Sequence, residues 1–280
     1  MTARMTNLLL GALIAASLLA PRHLTAQASE IQSAQTAPLS GPEQDKRGRV
    51  LLDQMVEALG GKAWLNRSSY LKEGHTASFF RGAPTLNVVP FWEYHRFATT
   101  GSPVAERIEF SKKRDIVQIW TADNGFEITY KGNKPLPEDQ VQDYLRRRSH
   151  SIEAVIETWL KEPGIVVLYE GTTMVERRMA DKVTLLGENN DAVTLELESS
   201  SHLPLRRSFQ TRNNQFKDYD EDEEEYSDYH EIQGIQTPMT ISRYHNGDLS
   251  NERFFTKVEY GMPLTDEMFD TERPLKGKKK

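Results

Sequence analysis

The densest cluster of titratable groups is at residues 218–228 (DYDEDEEEYSD), which carry eight carboxylates. Asp218, Asp220 and Asp222 imitate the opening of a calcium-binding loop, where oxygens at alternate positions surround one ion. The pattern then breaks. Its sixth position is Glu223 where the loop needs Gly, and its twelfth is Tyr229 where the loop needs a bidentate Glu. The run reads as a solvated hairpin whose charges block edge pairing, with a weak divalent-ion site as the alternative. Other chemistries find even less. There is no His-Glu-x-x-His zinc helix, Gly-x-Ser-x-Gly elbow, phosphate-cradling Gly-rich loop or dinucleotide fingerprint. Histidines 23, 75, 95, 150, 202, 230 and 245 show no ligand spacing. The absence of cysteine excludes thiolate catalysis, iron–sulfur ligation, cysteine zinc sites and disulfides. No catalytic residue, metal site or cofactor is assigned, and the chain reads as a non-enzyme.

Basic residues offer binding rather than catalysis. Arg146-Arg147-Arg148 reads as a solvated helix face, or as a surface for an acidic partner or lipid phosphates. Arg206-Arg207 lies within a strand, so the two side chains must point to opposite faces and at most one can enter a cavity. With 41 acidic against 35 basic side chains the net charge is −6, which argues against a nucleic-acid partner.

Aromatic residues crowd the first half of the chain: Phe79, Phe80, Phe91, Trp92, Tyr94, Phe97, Trp120, Phe126 and Tyr130. They suit either an ordinary core or the lining of a pocket for something long and apolar. The pocket reading assigns Phe80, Trp92, Tyr94, Phe97, Trp120, Phe126, Ile128, Leu195 and Leu197 as cavity lining.

The elements that must position these residues follow a secretory segment. Arg4, the apolar run 8–20 and Ala26-Gln27-Ala28 form the three parts of a signal peptide over residues 1–28. The apolar run is too short to span a bilayer, and no cysteine follows it to be lipidated. Its removal deletes Arg4 and Arg22 and no acid, leaving 33 basic against 41 acidic side chains and a net charge of −8. No later stretch has the length and apolarity of a transmembrane helix. An exported, soluble periplasmic protein is expected. Residues 29–44 read as a flexible leader and 271–280 as a basic mobile tail, with one domain over 45–270.

Within that domain, Leu52, Met55, Val56 and Leu59 make one stripe of a helix over 45–59, stopped by Gly60-Gly61. Strand runs follow at 67–80, 88–98, 104–110 and 114–121, then the alternation Phe126, Ile128, Tyr130. Pro137-Glu138-Asp139 opens a helical region over 138–161, expected in two pieces because its middle is polar. Strand runs resume at 165–170, 173–178, 181–186, 192–198, 204–211, 222–232, 235–245 and 249–260. Asn246-Gly247 is a two-residue hairpin signal. The expected class is mainly antiparallel β (α+β): a curved half-barrel sheet of about 10–12 strands closed by two or three helical segments.

Two segments carry a family resemblance. One is the helix end Met55-Val56-Glu57-Ala58-Leu59-Gly60-Gly61-Lys62. The other runs Tyr226-Ser227-Asp228-Tyr229-His230-Glu231-Ile232, then Gly234-Ile235-Gln236-Thr237-Pro238, and ends in Pro263-Leu264-Thr265-Asp266 and Met268-Phe269. The chain resembles bacterial outer-membrane lipoprotein-sorting proteins of the LolA/LolB-like superfamily over roughly 45–270. The resemblance implies a hydrophobic cavity for acyl chains, a lipid or acylated lipoprotein as partner, and no need for a catalytic residue. The alternative is a sensor or interaction protein on the same fold, with an envelope protein as partner and no transport function. The acidic run and the basic tail depart from the compact carrier pattern. The exported chain is expected to begin near Ser29. Intact-mass measurement of the secreted protein checks this, and a mass that retains residues 1–28 contradicts it.

Overall fold

The computed structural model describes residues 41–85, 88–100, 102–213 and 215–272. The signal peptide, residues 29–40 of the leader and 273–280 of the tail lie outside them. The apolar stripe sets the first helix, α1 (Gly41–Leu59), whose buried residues include Leu51, Leu52, Met55, Val56 and Leu59. It begins four residues earlier than its periodicity announced. A short helix α2 (Lys62–Leu65) follows.

Period-two alternation then dominates. The first group of strands is β1 (Ser69–Phe80), β2 (Ala83–Pro84), β3 (Val89–Arg96), β4 (Ala105–Phe110), β5 (Ile116–Trp120), β6 (Gly125–Thr129) and β7 (Gly132–Pro135). The helical region comes as α3 (Glu138–Ser149), α4 (Ile152–Glu157) and a 3-10 turn at Trp159–Lys161. Glu138 and Asp139 in the first turn of α3 and Arg146, Arg147 and Arg148 in its last complement the helix dipole. Ser151 separates the two pieces by capping α4, its hydroxyl accepting from the Ala154 N–H at 3.1 Å. The second group is β8 (Val166–Val175), β9 (Arg178–Leu186), β10 (Ala192–Glu198), β11 (Pro204–Asn213), β12 (Asp218–Ile232), β13 (Ile235–His245) and β14 (Asp248–Tyr260).

All fourteen strands belong to one sheet, with the order β7-β6-β5-β4-β3-β1-β14-β13-β12-β11-β10-β9-β8 and β2 paired to β1. Each group is an antiparallel meander, and the ends β7 and β8 do not pair with each other. The count exceeds the expected 10–12 because β2 and β7 are too short to leave a hydrophobic pattern. Conversely, 165–170 and 173–178 are one strand with a bulge between Tyr169 and Gly171. The acidic run is not a hairpin. It is most of β12, paired to β11 on one side and β13 on the other, so its charges guard no edge.

One pairing joins the two meanders. β1 runs beside β14 from Tyr70↔Tyr260 to Ser78↔Asn251, with a bulge at Glu73/Gly74. A Cβ on Gly74 would stand 2.0 Å from the Phe254 carbonyl oxygen, so only glycine lets the backbones approach here.

The helices pack on one face, termed here the helical face. Under α1 and α4, Val183 and Leu185 of β9 meet Val193, Leu195 and Leu197 of β10. Under α3, Phe91, Ile108 and Trp120 meet Phe255 and Val258, with Val141 and Tyr144 from the helix. On the outer face Val117, Ile119 and Ile128 are covered by Leu264, Met268 and Phe269 of the C-terminal segment. The Gly74→Ala variant is expected to lose about 2–3 kcal/mol of stability, because backbone must move to admit the methyl. Gly41→Ala, where nothing lies within 4 Å of the new Cβ, should change stability by less than about 0.5 kcal/mol. Urea unfolding of both variants checks the contrast, and equal midpoints would contradict it.

Candidate functional site

Strand alternation sends Arg206 and Arg207 to opposite faces, as two consecutive strand residues must go. Arg206 lies on the outer face among Glu196, Glu223 and Glu225. Arg207 enters the helical face and is only 1% exposed. Its register partner is Glu224 on β12, and Glu224 is in turn opposite Arg243 on β13. Glu224 therefore receives two cations, Arg207 at 2.9 Å and Arg243 at 2.6 Å, and a third donor, the Tyr226 hydroxyl, at 2.9 Å. Burial opposes its charge, but Arg207 and Arg243 outweigh burial and hold the carboxyl well below the usual range. Burial also opposes the charge on Arg207, which Glu224 and Tyr226 keep firmly protonated.

Arg207 reaches the helical segment as well. Its Nη1 donates to the His150 carbonyl at 3.0 Å and to the Arg147 carbonyl at 3.5 Å, both at the α3 C-terminus. These carbonyls are among the last of a helix and lack intrahelical donors. Arg148 donates to the carbonyls of Thr121 and Ala122 in the β5–β6 turn. His150 is buried, stacked on Phe209 at 4.3 Å and bonded through Nε2 to Asp191 at 2.9 Å. The polar middle of the helical segment is thus its attachment to the sheet, where the sequence suggested a solvated face.

A second polar group lies on the same face nearer β1. Glu93 accepts from Arg253 at 2.5 Å and from the Tyr70 hydroxyl at 2.7 Å. His95 stacks on Tyr70 at 4.9 Å and meets Glu106 at 3.1 Å. Arg67 pairs with Glu153 of α4 at 2.7 Å and lies over the Trp64 ring at 3.8 Å. Among the described residues no group of three or more His, Asp or Glu is arranged to hold a metal ion. Asp220 and Asp222 of the acidic run are engaged instead by Asn246 and His245.

Of the residues assigned to a cavity, Trp120, Leu195 and Leu197 do lie on the helical face. Trp120 stacks on Tyr144 of α3 at 4.0 Å, and the two leucines are fully buried under the helices. Phe97 sits at the rim, against His95 at 4.6 Å and Arg67 at 4.5 Å. The other five do not line that face. Trp92 and Tyr94 alternate with Phe91, Glu93 and His95 and so point outward, where Trp92 donates to Glu73 at 2.9 Å and Arg114 reaches Tyr94. Phe126 is opposite Ile119, and Ile128 opposite Val117, on the outer face. Phe80 is at the β1–β2 turn and is 65% exposed. Both faces of β3 carry aromatics, so composition alone did not mark which phase turns inward. The sequence reading also missed the buried ion pair of Arg207 and Glu224, although alternation within each strand was the signal that could have found it.

Among the concavities lined by the described residues, two lie at the surface as open grooves. One, of about 720 Å³, runs beside α1 between Val50, Leu65, Ile156 and His202. There Gln54 Oε1 and His202 Nδ1 are buried without partners. The other, of about 430 Å³, lies on the outer face between Glu176, Arg178, Glu225, Tyr244 and Glu252. No open apolar cavity accompanies the helical face among these, because the helices already cover it.

No protein-family model matches the chain, and no curated protein matches it. Solved structures do. A DUF1329 family protein from Desulfovibrio piger superposes with a TM-score of 0.57 at 13% identity, over 81% of this chain and 97% of that one. A domain named for outer-membrane lipoprotein sorting, from Vibrio parahaemolyticus, gives 0.52 at 9% identity, over 82% and 97%. A LolA superfamily protein from Nitrosomonas europaea gives 0.47 at 10% identity, over 80% and 97%. The first two share their fold with this chain, so the resemblance to lipoprotein-sorting proteins holds at the level of architecture.

The buried network has a pH signature. The Glu224 carboxyl is depressed in the folded state, so its stabilisation is complete above the ordinary glutamate value of about 4.3. It is lost as pH falls through the lower folded value. Stability should therefore drop on acidification below about pH 4.5. Glu224→Gln should be about 3–5 kcal/mol less stable at neutral pH, since Arg207 and Arg243 are left without their carboxylate, and should lose less on acidification. Denaturant midpoints measured from pH 7 to pH 3 test this. Parallel profiles for the two proteins would exclude Glu224 as the source.

Proposed function

We propose that the protein is an exported, periplasmic carrier of lipid or of lipoprotein acyl chains, non-catalytic, in which the sheet is a half-barrel wall and the helical segment is its removable roof. The observation that carries this reading is the manner in which the segment is attached. Beneath it lies an apolar wall that includes Phe91, Trp120, Phe255 and Leu195. The segment is joined to that wall by side-chain bonds to backbone carbonyls, chiefly from Arg207 and Arg148, and not by a strand ladder. Such bonds can be exchanged one at a time, and each contributes only about 1.5–3 kcal/mol. Lifting α3 and α4 would bare a hydrophobic surface large enough for a hydrocarbon chain without unfolding the sheet. One buried chain gives modest, reversible affinity, which suits pick-up and release. The likeness in fold to a domain named for lipoprotein sorting supports the same reading. Among the described residues no helix is long and apolar enough to cross a membrane.

A second reading is an envelope sensor or interaction protein. It is favoured by one observation, that the helical face is already covered by the chain's own helices. On that reading the groove beside α1 is the working surface, with Val50 40% and Leu65 46% exposed.

The carrier reading predicts that the purified secreted protein retains lipid detectable by native mass spectrometry and that lipids displace an apolar dye from it. The chain has no cysteine, so labels can be placed freely. Spin labels at Gln142→Cys on α3 and Tyr219→Cys on β12 should move apart when lipid is added. No bound lipid, no dye displacement and an unchanged label distance would select the interaction reading instead.

A further inference from the structure

At one end of the sheet the first meander exposes side chains that its turns do not require. The register sets the end of β1, the start of β3, the β4–β5 turn and the β6–β7 turn side by side. Phe80 ends β1, Val88 precedes β3, Ile116 opens β5 and Tyr130 begins the β6–β7 turn. All four are exposed, Tyr130 by 85%. Turn geometry accounts for Gly82 and Gly132, whose φ angles are 74° and 107°, and for neither ring beside them. Single exposed apolar residues are ordinary. Four at one end of six neighbouring strands, within about 24 Å at the usual strand spacing, form a patch.

Cations stand between these residues. Arg81, Lys112, Lys113 and Lys131 have no ion-pair partner among the described residues. Arg81 and Lys131 lie over the Phe80 and Tyr130 rings at 5.3 and 5.6 Å. Arg114 covers Trp92 at 3.9 Å and reaches Glu109 at 3.6 Å. Asp115, near Lys113, is the acid of these turns. The same end of the second meander has the opposite balance, where Glu188, Asp191, Asp218, Asp220 and Asp248 outnumber Arg212 and Lys217. The chain also leaves the described residues at the basic corner. Asn133, at the start of β7, donates to the Thr271 carbonyl and to Glu272. Residues 273–280 then add Arg273, Lys276, Lys278, Lys279 and Lys280 and no acid.

We propose that this basic end of the sheet is a docking surface for a bilayer that carries anionic lipids. The chain as a whole has a net charge of −6, so an anionic surface repels it except where positive charge is gathered. The exposed rings and aliphatic tips select a membrane over an acidic protein, because they can enter the headgroup region while the cations stay at the level of the phosphates. Either signal alone holds a protein only marginally, and the two on one edge give binding that is reversible and sensitive to salt. None of the four apolar residues belongs to the wall under the helices. The surface therefore goes beyond the carrier reading and does not depend on it.

The test is flotation of the secreted protein with two kinds of vesicle, phosphatidylcholine alone and phosphatidylcholine with about one third phosphatidylglycerol. Binding to the anionic vesicles should be at least about tenfold tighter at low salt and should weaken as salt is raised. Lys112→Ser with Lys113→Ser and Lys131→Ser should remove most of that preference. Phe80→Ser with Tyr130→Ser should weaken binding at least about fivefold. Both sets should keep the thermal midpoint, since the residues are exposed, and this separates lost docking from lost folding. Phe216→Ser, which removes an exposed ring on the acidic half, should leave binding unchanged. A polarity-sensitive fluorophore at Tyr130→Cys should shift to the blue on anionic vesicles, and one at Tyr219→Cys should not. Equal binding to the two vesicles, or binding to neither, would overturn the surface and leave the carrier reading to its own test of retained lipid. Binding that survives both sets of variants and is lost on removal of residues 273–280 would belong to the tail alone and would also overturn it. Docking by a protein that retains no lipid would uphold the surface and overturn the carrier.

Discussion

The pairing of β1 with β14 is the contact on which the rest of the structure depends. Without it the chain is two meanders, each with a half-covered hydrophobic face. With it, the first long strand and the last become neighbours, and the helical segment between β7 and β8 lies across a continuous sheet. The pairing closes a loop of most of the chain, so its entropic cost comes early and its reward late. That explains why the seam is built from backbone ladder over nearly the whole of β1, and why Gly74 admits the close approach at its bulge. The ion pair from Arg253 on β14 to Glu93 on β3 spans β1 and ties the seam from the helical side.

The seam also decides where charge can be buried. Once β14 joins β1, the polar residues of β1, β3, β13 and β14 share one face beneath the helices. Glu93 then stands near Arg253 and Lys72, and Arg243 near Glu224. Each carboxylate there accepts more than one donor, which is the condition under which a buried ion is tolerated. The apolar clusters lie under α1 and α4 on one side and under α3 on the other. The interior is therefore amphiphilic, where the sequence led to the expectation of a greasy one.

Much of the architecture was legible because strand alternation and hairpin turns are local. β10 and β13 occupy the residues their patterns marked, and Asn246-Gly247 forms the expected left-handed turn, with φ of 52° and 80°. The helical segment broke where its middle turned polar. What the sequence hid was phase and partnership. Residues 218–228 look solvated by count, yet alternation turns Glu224 inward to two arginines while Glu223 and Glu225 face outward around Arg206. Burial pushes the carboxyls of Glu223 and Glu225 up, the opposite of Glu224. Identical residues one position apart thus differ because of strands more than fifteen residues away, which no local pattern encodes. The placement of the aromatic set was hidden for a related reason: in β3 both phases carry rings, so the pattern did not say whether Phe91 or Trp92 faced the helices.

The two segments that carried the family resemblance meet in space. Gly60, just past the end of α1, has a φ of 126°, and a Cβ there would stand 2.3 Å from the Gly234 carbonyl oxygen in the β12–β13 turn. The helix-ending phrase and the strand-opening phrase are two sides of one backbone contact, which sets α1 against the sheet. Such a contact constrains residue type for steric reasons and carries no chemistry. This is why these phrases track the fold and leave the cargo open. Arg207 and Arg243 act differently, by charge: both pair with Glu224, and Arg207 also holds the carbonyls at the end of α3. Glycine sets α1 against the sheet, and buried Arg207 ties the end of α3 to it.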